Sequence, residues 1–465
     1  MHRSSGKLHE DALAIWKAGV AAVDARRLVA EAIQLDNKQL TVGDVSVRLS
    51  DVGRIVVVGA GKAGAGMAAG VEDALGSELL VEKKVTGWLN VPEDCVKRMS
   101  HIHLHAARPA GCNEPMPEGV TGTQEILKLV SSMDTRDVCI CLISGGGSAL
   151  MPAPVSGVTL DDKQKVTQLL SERGANIQQL NLVRRALSRI KGGGLLRACT
   201  AGRLITLILS DVLGDPLEVI ASGPTILHHD SPRVAGNVFR ELGISDDEVP
   251  ASIFTFLSNP SSSELEQEPV GTNQDHIILG NLAVAVDAAG VEAERRGYSH
   301  AMTVARQSEG EADHVGSHLA EMARQMRNTS GPDCLISGGE PVVFLAEIAS
   351  RGKGGRNQQL VLAALKNFEE YASQQKIDVA QSLEGIFLLS GGTDGEDGPT
   401  DAAGAWMDAT VGRVSGKLGL EIDGFLQRND AYHFFQATKS LLVTGPTHTN
   451  VCDLRVVVTD RIERG

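Results

Sequence analysis

The chain has 465 residues, enough for two or three domains with ample cores at roughly 100 to 200 residues each. Hydrophobic residues make up 42% and charged residues 22%, which argues against disorder, and 51 glycines against 15 aromatic residues leave the core to Val, Ile, Leu and Ala. With 44 Lys and Arg against 58 Asp and Glu, the net charge of −14 repels a phosphate backbone and argues against nucleic acid and anionic membrane as partners.

No apolar run reaches the ~18 to 20 residues that span a bilayer, and no export signal is evident. The seven cysteines are an odd number without metal-type spacing, which fits a reducing, cytoplasmic setting, with a mitochondrial one as the alternative. Residues 8–35 repeat apolar positions at helical spacing and predict a covering helix. Short branched runs at Ile55–Val58, Val85–Val91, Ile102–Leu104, Val138–Ile143 and Leu204–Leu209 then alternate with helical stretches, the rhythm of a largely parallel sheet. The pattern lapses into Ser, Pro and acids from Asn259 to Asp275, predicting a linker or surface loop over 251–275. A second rhythm runs through Ile277–Leu279, Ala301–Val304, Cys334–Ile336, Val342–Leu345, Ile386–Leu389, Leu441–Val443 and Leu454–Val458. The expectation is two α/β domains, 1–250 and 276–465.

A strand ending in Ser-Gly-Gly occurs three times, at Ser144-Gly145-Gly146, Ser337-Gly338-Gly339 and Ser390-Gly391-Gly392. Strand ends of an open α/β sheet face the ligand crevice, and glycine there lets backbone amides approach an anion, so the repetition points to a cleft between domains. The alternative is a set of plain strand-to-helix turns. Gly59-Ala60-Gly61-Lys62-Ala63-Gly64 matches the dinucleotide fingerprint, but Asn90 stands where that fingerprint wants an acid. What remains is Lys62 at a helix start, a place suited to carboxylate or phosphate. No phosphate-loop or protein-kinase signature is present.

Further polar groups gather on predicted loops. Lys191-Gly192-Gly193-Gly194 is read as ending a helix that begins near Ala175. Asp211 closes a strand and suits a metal ligand or general base, and Ser222-Gly223 follows shortly after. Arg356 opens a helix and could fork onto a carboxylate or phosphate, and Thr393 to Thr400 brings Asp394, Glu396 and Asp397 into one turn. Glycine amides, cations, carboxylates and hydroxyls are the parts phosphoryl transfer requires. His101, His103 and His105 share one strand face, but no companion carboxylate or cysteine at zinc-type spacing accompanies them; His228-His229 is read the same way.

Gly59–Ala63, Leu142–Pro154, Lys191–Leu195, Leu209–Thr225, Ser337–Pro341, Gly354–Gln358, Leu389–Trp406 and Thr449–Leu454 together resemble the MOFRL-containing glycerate kinase family, the glycerate 2-kinases, and the animal-type members most closely over 176–225. The resemblance spans nearly the whole chain. It implies a Rossmann-like N-terminal domain with a largely parallel sheet between helices, a C-terminal α/β MOFRL domain, and an active site in the cleft between them. It also implies phosphorylation of D-glycerate at its 2-hydroxyl with ATP and Mg2+, small-molecule substrates only, and a monomer or homodimer.

Under that resemblance Lys62 and Arg356 match the basic catalytic pair, and Asp211 and Asp394 the acidic site residues. The chain departs from the bacterial pattern over Ala106–Gly119, where Pro115-Met116-Pro117-Glu118 replaces a His-Pro-x-Pro-Asp segment. The expected roles are Lys62, Arg356 and Asp211 in catalysis and Asp394 and Asp397 on magnesium. Gly61, Ser144, Gly145, Gly146, Gly147, Ser148, Lys191, Gly192, Gly193, Ser222, Gly223, Gly338, Gly339, Glu340, Asn357, Gly391, Gly392 and Thr393 are expected around substrate and nucleotide. The alternatives are a nicotinamide-dependent reductase of hydroxypyruvate, favoured by Gly59, Gly61 and Gly64 and weakened by Asn90, and a non-catalytic anion or nucleotide sensor.

Overall fold

A computed structural model describes residues 3–36, 38–228, 232–258 and 272–461. It divides into two compact units, Ala25–Ser210 with Asp215–Leu279, and Met1–Asp24 with Asp211–Gly214 and Gly280–Gly465. The first is called here the parallel-sheet unit, the second the mixed-sheet unit.

The parallel-sheet unit opens with an antiparallel meander, β1 (Ile33–Asp36), β2 (Gln39–Val42) and β3 (Val45–Arg48). Its main strands are β4 (Ile55–Ala60), β5 (Thr86–Pro92), β6 (Ile102–Arg108), β7 (Val138–Ile143), β8 (Arg203–Leu209) and β9 (Asn273–Gly280), in the order β6-β5-β4-β7-β8-β9. The pairings from β6 through β8 are all parallel. β4 and β7 are buried at every residue, which is why they read as continuous runs of branched and small apolar residues. Met67, Val71 and Leu75 of the helix Gly64–Glu82 pack on Ile55, Val57 and Leu89. From β4 the chain builds outward to β5 and β6, then returns to add β7 and β8 on the other side. The junction of β4 and β7 is therefore a topological switch point, where a crevice opens at the strands' carboxyl ends.

The mixed-sheet unit contains β10 (His300–Val304), β11 (Cys334–Gly339), β12 (Ile386–Gly392), β13 (Gly404–Met407), β14 (Leu441–Leu442) and β15 (Asp453–Thr459), ordered β10-β11-β15-β12-β13-β14. Only β10 and β11 run parallel; β15 lies antiparallel between β11 and β12. Every residue of β15 is buried, because Leu454, Val456 and Val458 face Trp16 and Ile15 on one side while Val457 faces Leu360 and Phe368 on the other. Trp16 Nε1 donates to Leu454 O at 3.1 Å, which locks the helix Ser5–Ala22 to the sheet.

Four expectations need correction. The helical pattern of 8–35 breaks into Ser5–Ala22, Ala25–Ala32 and then β1, and Met1–Asp24 group with the mixed-sheet unit rather than with the N-terminal domain of 1–250. Ala251–Ser258 is helical and β9 starts at Asn273, so within 251–275 the linker reading is confined to the part outside the described residues. Val342–Leu345 is not a strand: β11 already has a neighbour on each side, and beyond one bridge between Glu311 and Val342 this apolar run finds no ladder, leaving Phe344 73% exposed. Lys191–Gly194 does not cap the preceding helix, which ends at Ala186; Gly193 instead starts the short helix Gly194–Ala198.

Candidate active site

In the parallel-sheet unit the turns after β4 and β7 interlock at the switch point. Lys62 N donates to Gly145 O at 2.9 Å, Ala63 N to Ser144 Oγ at 3.0 Å and Gly61 N to Asn90 O at 3.2 Å. Gly61 has φ +149°, and a Cβ there would lie 2.0 Å from Ser144 Oγ, so the close approach of the two turns requires glycine. A Cβ on Gly146 would stand 3.4 Å from Arg108 Nη2 and 3.5 Å from Lys62 Cγ, so two cationic side chains flank the second turn. Arg108, 3% exposed, donates to Asn113 Oδ1 at 2.8 Å. Lys191 Nζ donates to Ser148 Oγ at 2.7 Å, and Ser148 Oγ lies 2.9 Å from Ser222 Oγ.

Not every glycine presents an amide to a ligand. Gly192 N donates to Ser222 O at 3.0 Å, Gly193 N to Gly223 O at 2.8 Å and Gly194 N to Lys191 O at 3.2 Å. That segment therefore fixes Lys191 and Ser222 against each other and has no amide left for phosphate. Ala221, Ser222 and Gly223 take three successive positive φ angles of 51°, 64° and 59°, a strained turn that the zipped loop maintains. Asn90 carries no charge and its amide is consumed by Leu150 O at 2.8 Å, Gly119 O at 3.2 Å and Thr123 Oγ1 at 3.3 Å, so the acid that would hold a dinucleotide's ribose is absent.

In the mixed-sheet unit the two other Ser-Gly-Gly strand ends flank one carboxylate. Asp453, the first residue of β15, is in register with Gly339 of β11 and Gly392 of β12. It holds Arg356 through two bonds, Nε to Oδ2 at 2.7 Å and Nη2 to Oδ1 at 3.1 Å, while Arg356 Nη1 reaches Glu340 Oε1 at 2.7 Å. Burial opposes the charge on Arg356, but Asp453 and Glu340 outweigh it and hold the guanidinium firmly protonated. Three of the five N–H donors of the fork are thus used among the described residues, and the group stays 34% exposed. A second fork lies alongside: Arg455, 1% exposed, bonds Glu309 at 2.9 and 2.7 Å. A Cβ on Gly339 would lie 1.7 Å from Glu309 Oε2, which explains a glycine at this strand end better than an anion does.

Asp211 joins this unit. Its Oδ2 accepts Asn450 Nδ2 at 3.1 Å and its carbonyl accepts Cys452 Sγ at 2.8 Å. Asp394, half-buried, accepts Glu396 N at 3.0 Å. Asp397 is the other carboxylate expected on magnesium. It is 2% exposed, and its two oxygens accept Asn357 N at 3.0 Å and Gln358 N at 2.8 Å, capping the helix Arg356–Gln375; burial pushes its carboxyl up to about 7. Asn357 and Thr393 are likewise internal: Asn357 Oδ1 accepts Ser390 Oγ at 2.5 Å, and Thr393 Oγ1 donates to Cys452 O at 2.7 Å and accepts Val451 N at 2.8 Å. Gly392 N is spent on Ala403 O at 2.8 Å.

Sequence reasoning missed Arg108, Glu309, Asn450, Asp453 and Arg455. Two signals were available: the Thr449–Leu454 motif, which contains Asn450 and Asp453, and charge inside an apolar strand, since Asp453 and Arg455 bracket Leu454 at the start of a Val-rich run. The histidine strand has a plain role: the His103 ring lies tilted against Trp88, 4.1 Å between centroids, and His105 Nε2 meets Glu118 O at 2.8 Å. Among the described residues no three His, Cys, Asp or Glu side chains are grouped to hold a metal, and His229 lies outside those residues.

Residues 11–258 match a family described as a domain of unknown function (DUF4147), and residues 333–453 match the MOFRL family. The chain is 34% identical to a glycerate kinase of Rattus norvegicus, over 97% of this chain and 93% of that protein. It is 33% identical to a D-glycerate 2-kinase of Thermotoga maritima, over 86% of this chain and 89% of that one. A solved glycerate kinase structure from Thermotoga maritima superposes with a TM-score of 0.76 at 30% identity, covering 98% and 100% of the two chains.

Proposed function

Because the chain belongs to the MOFRL-type glycerate kinase family, we propose that it transfers the γ-phosphoryl group of ATP to the 2-hydroxyl of D-glycerate, giving 2-phosphoglycerate. The observation that carries the reading is the pair of cations, Lys62 and Arg108, set around the Gly146 turn at the switch point of the parallel sheet. A buried cation beside a tight turn favours an anionic ligand over a neutral one.

In this reading the 2-hydroxyl oxygen forms a bond to the γ-phosphorus as the bond from that phosphorus to the β–γ bridging oxygen breaks, and ADP leaves. Asp211, oriented by Asn450, takes the hydroxyl proton. Lys62 neutralises the transferring group. Arg356, clamped by Asp453 and Glu340, offers its remaining N–H groups to the substrate carboxylate. Magnesium asks for hard oxygen donors and is commonly held by one or two carboxylates together with substrate phosphates, so the half-buried Asp394 carboxylate would fit as its protein ligand. It would supply charge neutralisation on the phosphates.

The test is parallel incubation of the purified chain with D-glycerate, ATP and magnesium, and with hydroxypyruvate and NADH. ADP formation dependent on D-glycerate is expected. NADH oxidation without ATP consumption would overturn the proposal.

A further inference from the structure

Beside the Ser148 end of the β7 turn, the parallel-sheet unit holds a cavity of about 680 Å³. Three cationic side chains line it: Lys163 from the helix Leu160–Glu172, Arg184 from the helix Ile177–Ala186, and Lys191 from the loop that follows. Among the described residues Glu114 is the one acid on its wall. Among the described residues none of the three cations has an ion-pair partner, and the ammonium of Lys191, whose residue is 8% exposed, bonds only a serine hydroxyl.

Burial, and then Arg184, bring Lys163 down to about 7, and burial with Lys163 and Arg184 drives Lys191 well below the usual lysine range. Of the three, Lys191 is buried, Lys163 half-buried and Arg184 exposed; a buried cation is ordinarily paired, and an anion entering the cavity would supply the countercharge that Lys191 lacks. D-glycerate carries one negative charge on three carbons and would leave most of this volume and two of the cations unmatched. A run of linked phosphates supplies several charges spaced along one chain, which is what cations on three separate segments can meet together.

We infer that this cavity binds the condensed phosphate chain of the phosphoryl donor, with Lys163, Arg184 and Lys191 as its ligands and Ser148 joining it to the Gly145–Gly147 turn. The inference rests on the kinase reading for the identity of the donor. Among the described residues the walls present no aromatic ring on which a base could stack, so the proposed recognition is of the phosphate chain.

The experiment is calorimetry on the full chain with ATP, inorganic tripolyphosphate, orthophosphate and adenosine as separate titrants, followed by KM values for ATP and D-glycerate. The expected result is that ATP and tripolyphosphate compete, that orthophosphate binds far more weakly, and that adenosine shows no binding. Lys163→Ala combined with Arg184→Ala should weaken both polyphosphate ligands at least tenfold and raise the KM for ATP in step, with the KM for D-glycerate nearly unchanged. Lys163→Arg should retain most of the affinity. Failure of tripolyphosphate to compete with ATP on the unmodified protein would overturn the inference, as would a KM effect confined to D-glycerate. Tripolyphosphate binding that depends on Lys163, in a protein that does not phosphorylate glycerate, would remove the kinase reading and leave the subsite standing.

Discussion

Arg356 and Lys62 were expected as equivalent cations, but their surroundings make removal of each a different experiment. Asp453 is 1% exposed and its ion-pair partner is Arg356. Arg356→Ala therefore leaves a buried carboxylate unpaired, a loss of about 3 to 5 kcal/mol, and should lower the melting temperature as well as turnover. Arg356→Lys keeps a charge but gives up the two-point fork, so it should preserve more stability while turnover falls at least ~10-fold. Lys62→Ala should reduce turnover by roughly 100- to 1,000-fold, its backbone bond to Gly145 O surviving the substitution. Near-normal turnover in folded Lys62→Ala protein contradicts its role. Lys62 and Arg356 stand out in the sequence as candidates because each is a cation beside glycines at an element boundary. Asp453 lies 97 residues from Arg356, and Glu309 lies 146 from Arg455, so nothing local marks either pairing.

At the scale of elements, the helix Arg356–Gln375 depends on Asp397. Folding raises the Asp397 carboxyl from 3.8 to about 7 because burial penalises its charge. Between those values the folded chain binds a proton that the unfolded chain has released, so this group's contribution is full below pH ~4 and is lost as pH rises toward ~7. Asp397→Asn removes the titration while leaving one oxygen to accept from the helix amides. The variant should melt with a flatter pH profile than the parent between pH ~4 and ~7, and parallel profiles would contradict the burial argument. The turn after β4 is a second element-scale device: Gly61→Ala drives a methyl into Ser144 Oγ, and should destabilise the parallel-sheet unit by about 1 to 3 kcal/mol in chemical denaturation. These strands were legible because burial on both faces leaves continuous apolar runs. Their directions in the mixed-sheet unit were not, because Val456-Val457-Val458 reads the same whether its neighbours run with it or against it.

For the whole molecule, the two-unit division and the two α/β halves followed from the alternation of runs, whereas the grouping of the first helix did not. An amphipathic pattern gives the buried face of a helix, such as Leu8, Ile15 and Trp16, but not the sheet that face will cover. Composition carried less. Glycine does stand at the ends of β11 and β12, yet Gly192, Gly193, Gly339 and Gly392 serve close packing and internal bonds, and under the proposed function anion binding falls to Lys62, Arg108 and Lys191. Against a net charge of −14, those local cations predict that the KM values for both anionic substrates rise with ionic strength while kcat changes little; a salt-independent KM would contradict electrostatic capture. The central claim is the regiochemistry of transfer. Phosphorus NMR of the product formed from D-glycerate, ATP and magnesium tests it most directly: the account predicts the resonance of 2-phosphoglycerate growing with that of ADP, and a 3-phosphate resonance, or ADP with free phosphate alone, would contradict it.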